Sequence, residues 1–179
     1  AMQKACDAEP STMAAIIGLQ NEQVEEICAN IDDIVVPANY NSPGQVVISG
    51  SEAGVDRGIE QCKAAGAKIA KKLQVNGAFH SPLMQPASDE LAEGIRSTQF
   101  EAPKVPIYQN INAQPQTDPT QIQANLIAQL TGPVKWAQSV EAMIADGAEK
   151  FVEIGPGRVL QGLVKRINRK MDISGHSTL

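Results

Sequence analysis

Ile34-Val35-Val36-Pro37-Ala38-Asn39-Tyr40-Asn41-Ser42-Pro43-Gly44-Gln45-Val46-Val47-Ile48 decides the fold. Side chains branched at Cβ are stiff and sit well on a pleated surface, so Ile34-Val35-Val36 and Gln45-Val46-Val47-Ile48 read as strands. Asn39 to Gly44 between them is rich in residues that accept turn dihedrals, and the whole reads as a hairpin. Upstream, Met13–Leu19 is an apolar run of strand length. Val24, Ile27, Cys28 and Ile31 then recur at helical spacing, with Asn21 as N-cap and Glu22 in the first turn, where a negative charge favours the helix dipole. Downstream, Ser51 can cap a second helix carried on Val55, Ile59 and Cys62 and stopped at Gly66. Ile69, Leu73 and Val75 alternate with Lys68, Lys72 and Gln74 as a strand with one wet face, with Lys71 out of phase. The order β-α-β-β-α-β predicts a ferredoxin-like plait over residues 13–75, a size able to fold as a unit.

Beyond it the rhythm changes. A helix is predicted from Met84 to about Ser97, and a strand entered through prolines over residues 103–112. Asp118-Pro119 opens another helix, with Ile122, Leu126, Ile127 and Leu130 as one stripe, ended by Thr131-Gly132-Pro133. Trp136 to Ala145 reads as a helix and Lys150 to Ile154 as a strand. Gly155-Pro156-Gly157 then turns into a helix bearing Val159, Leu160, Leu163, Val164 and Ile167. Strand alternating with helix is the pattern of an α/β layer with a parallel sheet, with too few strands here for a complete doubly wound domain. Residues 76–179 are therefore expected to be the C-terminal part of a larger α/β domain. Residues 1–12 are expected to be the end of a helix broken at Pro10-Ser11-Thr12, in a chain that starts inside a longer protein.

The 179 residues are 42% hydrophobic but only 3% aromatic, so core bulk comes from aliphatic side chains, which suits α/β layers. A net charge of −5 argues against general nucleic-acid binding, which needs a basic field. Cys6, Cys28 and Cys62 are odd in number and widely spaced, with no paired spacing for zinc, and read as reduced, packed thiols. No leader and no apolar run long enough to span a bilayer is evident, which leaves the cytoplasm as the expected compartment and no membrane partner.

Of the two histidines, His80 stands in Asn76-Gly77-Ala78-Phe79-His80-Ser81-Pro82-Leu83-Met84, between a strand-like segment and a proline-marked helix start. Imidazole titrates near neutrality, so a positioned histidine can take a proton and return it within one cycle. The plainer reading is a histidine that caps or packs. Met13–Leu19, Asn41–Gly50, Ala78–Met84, Pro133-Val134-Lys135-Trp136 and Glu153–Leu160, in this order, resemble the malonyl-CoA:acyl carrier protein transacylases of bacterial fatty acid synthesis. The resemblance covers nearly the whole chain. It implies a hydrolase-like α/β acyltransferase domain with a serine nucleophile in a G-H-S-x-G elbow, and a ferredoxin-like subdomain closing the cleft.

By that resemblance His80 is the general base that activates the serine and then protonates the departing coenzyme A thiol. A backbone carbonyl, at the position of Gln129, orients its ring in place of the usual carboxylate. Only the backbone of Gln129 would be used, the alternative being a solvent-facing residue in a last helical turn. In related acyltransferase domains of polyketide synthases a phenylalanine before the histidine accompanies malonyl, so Phe79 implies malonyl selection, with ordinary packing as the alternative. Asn41 is expected in a turn facing the cleft, although Asn-Ser-Pro-Gly is also good turn chemistry. Gly155-Pro156-Gly157 is too short for a phosphate-binding fingerprint and reads as a structural turn. Lys165, Arg166, Arg169 and Lys170 form the densest positive patch. Acyl carrier proteins are acidic, so these residues are candidates for docking one, although the helix dipole alone also favours them there.

The departures weigh as much as the matches. The sequence contains no G-H-S-x-G elbow after a strand, no G-Q-G segment for an oxyanion hole, and no upstream arginine to pair with a malonyl carboxylate. Gly175-His176-Ser177 imitates the elbow, but no helix follows to hold a strained turn. The expectation is an enzyme with no tightly bound cofactor or metal, with a coenzyme A thioester as substrate, and with acyl carrier protein and the missing N-terminal half as partners. The chain alone is expected to be inactive. The alternative is a non-catalytic ligand- or partner-binding α/β module in which His80 is structural, and the α/β tail after residue 80 counts against it.

Overall fold

In the plait, strand Ser11–Ile17 (β1) is apolar on both sides because both of its faces are covered. The computed structural model describes Cys6 and residues 9–177, so most of the helix end expected over residues 1–12 lies outside the described residues. After β1 come a helix Asn21–Ala29 (α1), strands Val35–Ser42 (β2) and Gln45–Ser51 (β3), a helix Glu52–Ala64 (α2) and a strand Ile69–Lys72 (β4). The sheet order is β2-β3-β1-β4 with every neighbour antiparallel, which is the ferredoxin-like arrangement. One face carries Ala14, Ile16, Val46, Ile48 and Ala70 against Val24 and Cys28 of α1 and Val55, Ile59 and Cys62 of α2. On the other, Met13, Ala38 and Val47 pack against Val75 and Phe79. Burial pushes the Cys28 thiol up to about 12, with Cys62 and Glu25 adding to it, so Cys28 is a packing group rather than a nucleophile.

Several local expectations shift. β2 runs through Asn39, Tyr40 and Asn41, and the turn narrows to Pro43-Gly44 with Gly44 at φ +70°. The turn-forming residues stay extended because the outer edge of β2 has a partner. The Tyr40 N–H donates to Val134 O at 2.9 Å, and the Val134 N–H donates to Ala38 O at 2.7 Å. Those bonds cover an edge that would otherwise leave backbone groups open. Gln20, not Asn21, caps α1, its N–H donating to Gln23 Oε1 at 3.0 Å. Ser51 caps α2 as expected, accepting from the Gly54 N–H at 3.0 Å. In β4 the expected phase is reversed. Ala70 pairs with Ile16 and turns to the core, Ile69 is half exposed, and Leu73 lies beyond the strand.

A single 3₁₀ turn, Pro82–Met84, leads into helix Gln85–Ser97 (α3). The strand expected over 103–112 shrinks to Ile107–Tyr108 (β5), paired with Pro115–Gln116 (β6), since Pro103 and Pro106 have no N–H for a ladder. Helix Pro119–Gln129 (α4) is capped by Asp118, whose side chain accepts from the Thr120 N–H at 3.0 Å. Its buried positions are Ile122 and Asn125, while Leu126 is exposed, contrary to the stripe. Asn125 is tolerated inside because its amide donates to Gln109 Oε1 and accepts from Gln121 Nε2, both at 2.8 Å. Helix Trp136–Ala145 (α5) and strand Lys150–Ile154 (β7) match expectation. Helix Val159–Ile167 (α6) returns the chain to a strand missed in the sequence, Asp172–His176 (β8), parallel to β7. No helix among the described residues is long and apolar enough to cross a membrane.

Glu153 closes the β7–α6 connection. Its carboxylate accepts from the Leu160 and Gln161 N–H groups at 3.1 and 3.3 Å and from Gln161 Nε2 at 2.9 Å. The start of α6 is thus satisfied from within the chain, which leaves Gly155-Pro156-Gly157 as a turn. Desolvation pushes the Glu153 carboxyl up, but the Gln161 amide and the two backbone donors outweigh it and hold the group below its ordinary value. A depressed carboxyl stabilises the fold above its unfolded pKa and loses that contribution as pH falls through the folded one. The urea midpoint advantage of the wild type over Glu153→Gln is therefore expected at pH 7 and lost as pH falls below about 4. An advantage that persisted undiminished in acid would contradict the capping role.

Candidate active site

His80 is held by its neighbours before its ring touches anything. Its backbone lies at φ +60°, a left-handed conformation that costs a residue with a Cβ roughly 1–2 kcal/mol. The flanking bonds impose it. The Ala78 N–H donates to Ser11 Oγ at 3.1 Å, tying the segment to β1, and the Ser81 hydroxyl donates to Ala78 O at 2.7 Å. Ser81 then starts the 3₁₀ turn, accepting from the Leu83 N–H at its hydroxyl and from the Met84 N–H at its carbonyl. Ala78 and Ser81 are fully buried, so the backbone on both sides of His80 is over-determined. Phe79 is half-buried and packs on two clusters, one with Met84 and Leu130, the other with Met13, Ala38 and Val47. Gly77 makes room for this, since a Cβ there would stand 2.3 Å from Cys6 Sγ and 3.3 Å from Phe79 Cζ.

The His80 ring meets the end of α4, with Nδ1 3.0 Å from Gln129 O. A carbonyl only accepts, so the neutral ring carries its proton on Nδ1 and leaves the Nε2 lone pair available as a base. Only the backbone carbonyl of Gln129 meets the ring; its side chain turns the other way, along the chain that follows. Its carboxamide donates to Gly132 O at 3.0 Å and Pro133 O at 3.2 Å, folding the following residues back over the helix end.

The other sequence candidates lie further along. Asn41 stands on β2 rather than in a turn, and lines a cavity of about 360 Å³ with Asn39, Gln45, Asn110, Trp136 and Leu160. Asn110 also borders a smaller cavity of about 240 Å³ whose wall includes Gln129. His80, Phe79 and Gln129 thus form one group, and Asn41 belongs to a neighbouring one. Asn39, Gln45 and Asn110 were not singled out from the sequence, where they are unremarkable amides. The basic cluster divides. Lys165 Nζ donates to Met171 O at 2.6 Å and Arg169 O at 3.4 Å, and the Arg166 guanidinium donates to the Gln45 side chain at the cavity wall. Arg169 and Lys170 lie beyond the end of α6, exposed in the turn before β8, so the patch is only half helical. Among the described residues no three or more His, Cys, Asp or Glu are placed to hold a metal ion.

The chain thus presents a plait packed beside a βαβ unit, with a histidine fastened to a helix-end carbonyl. Residues 2–178 match the acyl transferase domain family, and the chain belongs to it. Within that family it is 45% identical over 168 residues to the malonyl CoA-acyl carrier protein transacylase of Escherichia coli K12, covering 93% of this chain and 54% of the relative. The protein of that name from Staphylococcus aureus MRSA252 is 41% identical over 181 residues, 99% of this chain and 59% of the relative. Among solved structures, an acyl carrier protein S-malonyltransferase from Vibrio cholerae O1 superposes with a TM-score of 0.95 at 44% identity, over 99% of this chain and 59% of that one. A malonyl-transacylase in complex with its type II PKS acyl-carrier protein gives a TM-score of 0.94 at 39% identity, over 99% and 58%. The chain therefore spans between 54% and 59% of the length of these relatives.

Proposed function

We propose that this chain carries the histidine half of a malonyl-CoA:acyl carrier protein transacylase, with the nucleophilic serine supplied by a segment outside it. The observation that carries the reading is the 3.0 Å approach of His80 Nδ1 to Gln129 O, which leaves Nε2 as the base. Nε2 takes the proton of the serine hydroxyl as its oxygen attacks the malonyl thioester carbonyl, and returns it to the coenzyme A sulfur as the C–S bond breaks. In the second half-reaction Nε2 takes the proton of the carrier's phosphopantetheine thiol. The sulfur attacks the seryl ester, and the proton goes back to the serine oxygen. The helix-end carbonyl stands where a triad carboxylate would, holding the tautomer and placing partial negative charge beside the ring as it becomes positive. No further cofactor is needed for this exchange.

Phe79 limits the acyl pocket to malonyl, and Asn41 with Asn39 offers amides to the substrate's pantetheine arm in the 360 Å³ cavity. The boundary between the two working units falls near residue 75. Arg169 and Lys170, with Arg166 at the cavity wall, dock the acidic carrier, while Lys165 is occupied by its own loop. Cys28 and Cys62 are buried free thiols, consistent with a reducing cytoplasm. Charge reversal of Arg169 and Lys170 together is expected to raise the KM for acyl carrier protein roughly tenfold at low salt, with the KM for malonyl-CoA unchanged and the difference shrinking as salt rises. Equal effects on both substrates would count against docking there.

The test of the function is intact mass after incubation with malonyl-CoA. It is made on this chain alone and on this chain joined to the part of the Escherichia coli relative that lies outside the match. A malonyl adduct on the joined protein only, discharged by acyl carrier protein, is the expected result, and methylmalonyl-CoA should label it more slowly. A folded joined protein that gains no adduct would overturn the proposal.

A further inference from the structure

We propose that Pro133 is a positioning residue for His80, acting through the hydrogen bond it cannot make. Past the first turn of an α-helix such as α4, a backbone N–H donates to the carbonyl four residues back. At the helix end the Gly132 N–H takes Ala128 O at 3.0 Å. Next in the series, Gln129 O would receive the N–H of residue 133, but proline has none. That carbonyl is the one 3.0 Å from His80 Nδ1, although 49 residues separate the two in the chain. A donor at position 133 would extend the helix by one bond and turn the Gln129 carbonyl along the helix axis, away from the ring. The Gln129 carboxamide works in the same direction, since its bonds to Gly132 O and Pro133 O draw the chain back over the helix end rather than onward along it.

The next residues are fastened independently. The Val134 N–H donates to Ala38 O, the Tyr40 N–H to Val134 O, and the Lys135 N–H to Asn110 O at 2.8 Å. A change at 133 is thus bounded on its far side, and its effect should reach His80 without dismantling the plait.

The inference rests on the proposed role of His80 only for its effect on activity; the tautomer of the ring can be read without any acyl transfer. The sequence has only two histidines, His80 and His176, so long-range proton–nitrogen spectra of the rings in this chain are simple to assign. The wild type is expected to show neutral His80 protonated on Nδ1, with a slowly exchanging ring proton. Pro133→Ala should move the ring toward the Nε2–H tautomer found in free histidine and speed exchange of the Nδ1 proton. Lactic acid incorporated at position 133 has the alanine side chain but an ester in place of the N–H, so it should restore the wild-type spectrum. Restoration by the ester separates the missing donor from the stiffness of the proline ring, which neither replacement keeps. In the serine-bearing enzyme, Pro133→Ala should slow malonylation roughly tenfold at an unchanged KM, with the ester recovering it.

An unchanged Nδ1–H signal in folded Pro133→Ala, or an ester variant that resembles the alanine variant, would overturn the proposal. Should Pro133→Ala fail to fold, the ester variant decides alone: retention of the wild-type signal supports the inference and its loss refutes it. If the spectra behave as expected while no adduct forms in the joined protein, the acyltransferase reading fails and the positioning of His80 by Pro133 stands.

Discussion

Replacing His80 with alanine is expected to slow formation of the malonyl adduct about a thousandfold in a protein that unites this chain with the serine-bearing segment, the scale of a lost general base. Coenzyme A thioester affinity should hardly change, because the ring is assigned to proton transfer and not to binding. The measurement is single-turnover mass spectrometry across a range of malonyl-CoA concentrations. A loss confined to affinity would remove His80 from the chemistry. The left-handed backbone at φ +60° supplies a second readout. Alanine keeps the steric penalty of that conformation and glycine does not, so His80→Gly should be as inactive as His80→Ala yet more stable than it by about 1 kcal/mol. Stability in hand with activity absent would show that the enzyme tolerates a strained residue there for the sake of the imidazole.

The second large effect is structural. Gly50→Ala is expected to destabilise the plait by about 3 kcal/mol, because the new methyl has nowhere to go. A Cβ on Gly50 would lie 2.0 Å from Ile34 O, 2.7 Å from Val35 Cα and 2.8 Å from Ile34 C, all backbone atoms. The same carbonyl accepts from the Ser51 N–H at 2.9 Å and stands 2.7 Å from where a Cβ on Gly54 would be. The start of β2, the end of β3 and the first turn of α2 therefore converge on Ile34 O and cannot move apart separately. Gly94 in α3 is the control, since a Cβ there meets nothing within 4 Å, and Gly94→Ala should stabilise by roughly 0.5–1 kcal/mol. Denaturant midpoints of the two variants check both signs, and a neutral Gly50→Ala would mean that the hairpin and helix are less tightly joined than the distances require.

Much of the fold is legible because its causes are local. The plait order follows from runs of β-branched residues and from apolar residues at helical spacing, and the Ser51 cap and the Trp136–Ala145 helix follow from the same kind of signal. Where the reading slips, a partner distant in sequence intervened. Asn39 to Asn41 look like a turn and form a strand because Val134 pairs with the edge of β2. Asn125 takes the buried place expected for Leu126 because Gln109, across the β5 connection, satisfies its amide. The strand β8 carries one aliphatic residue, Ile173, and owes its conformation to the ladder along β7. For the site, motif resemblance pointed to His80 and to the backbone of Gln129, which lie 3.0 Å apart, and left Asn39, Gln45 and Asn110 unmarked.

What the sequence determined by itself was the kind of chain this is: an α/β protein with a ferredoxin-like plait and a run of motifs shared with the acyl transferase family. Those features depend on side-chain shape, periodicity and residue identity, which act over a few neighbours. Only the tertiary structure decided which donor meets which acceptor. Hydrogen bonds have short reach and definite direction, so whether the Gln129 carbonyl turns to His80, or the edge of β2 to Val134, depends on where elements far apart in the chain come to rest.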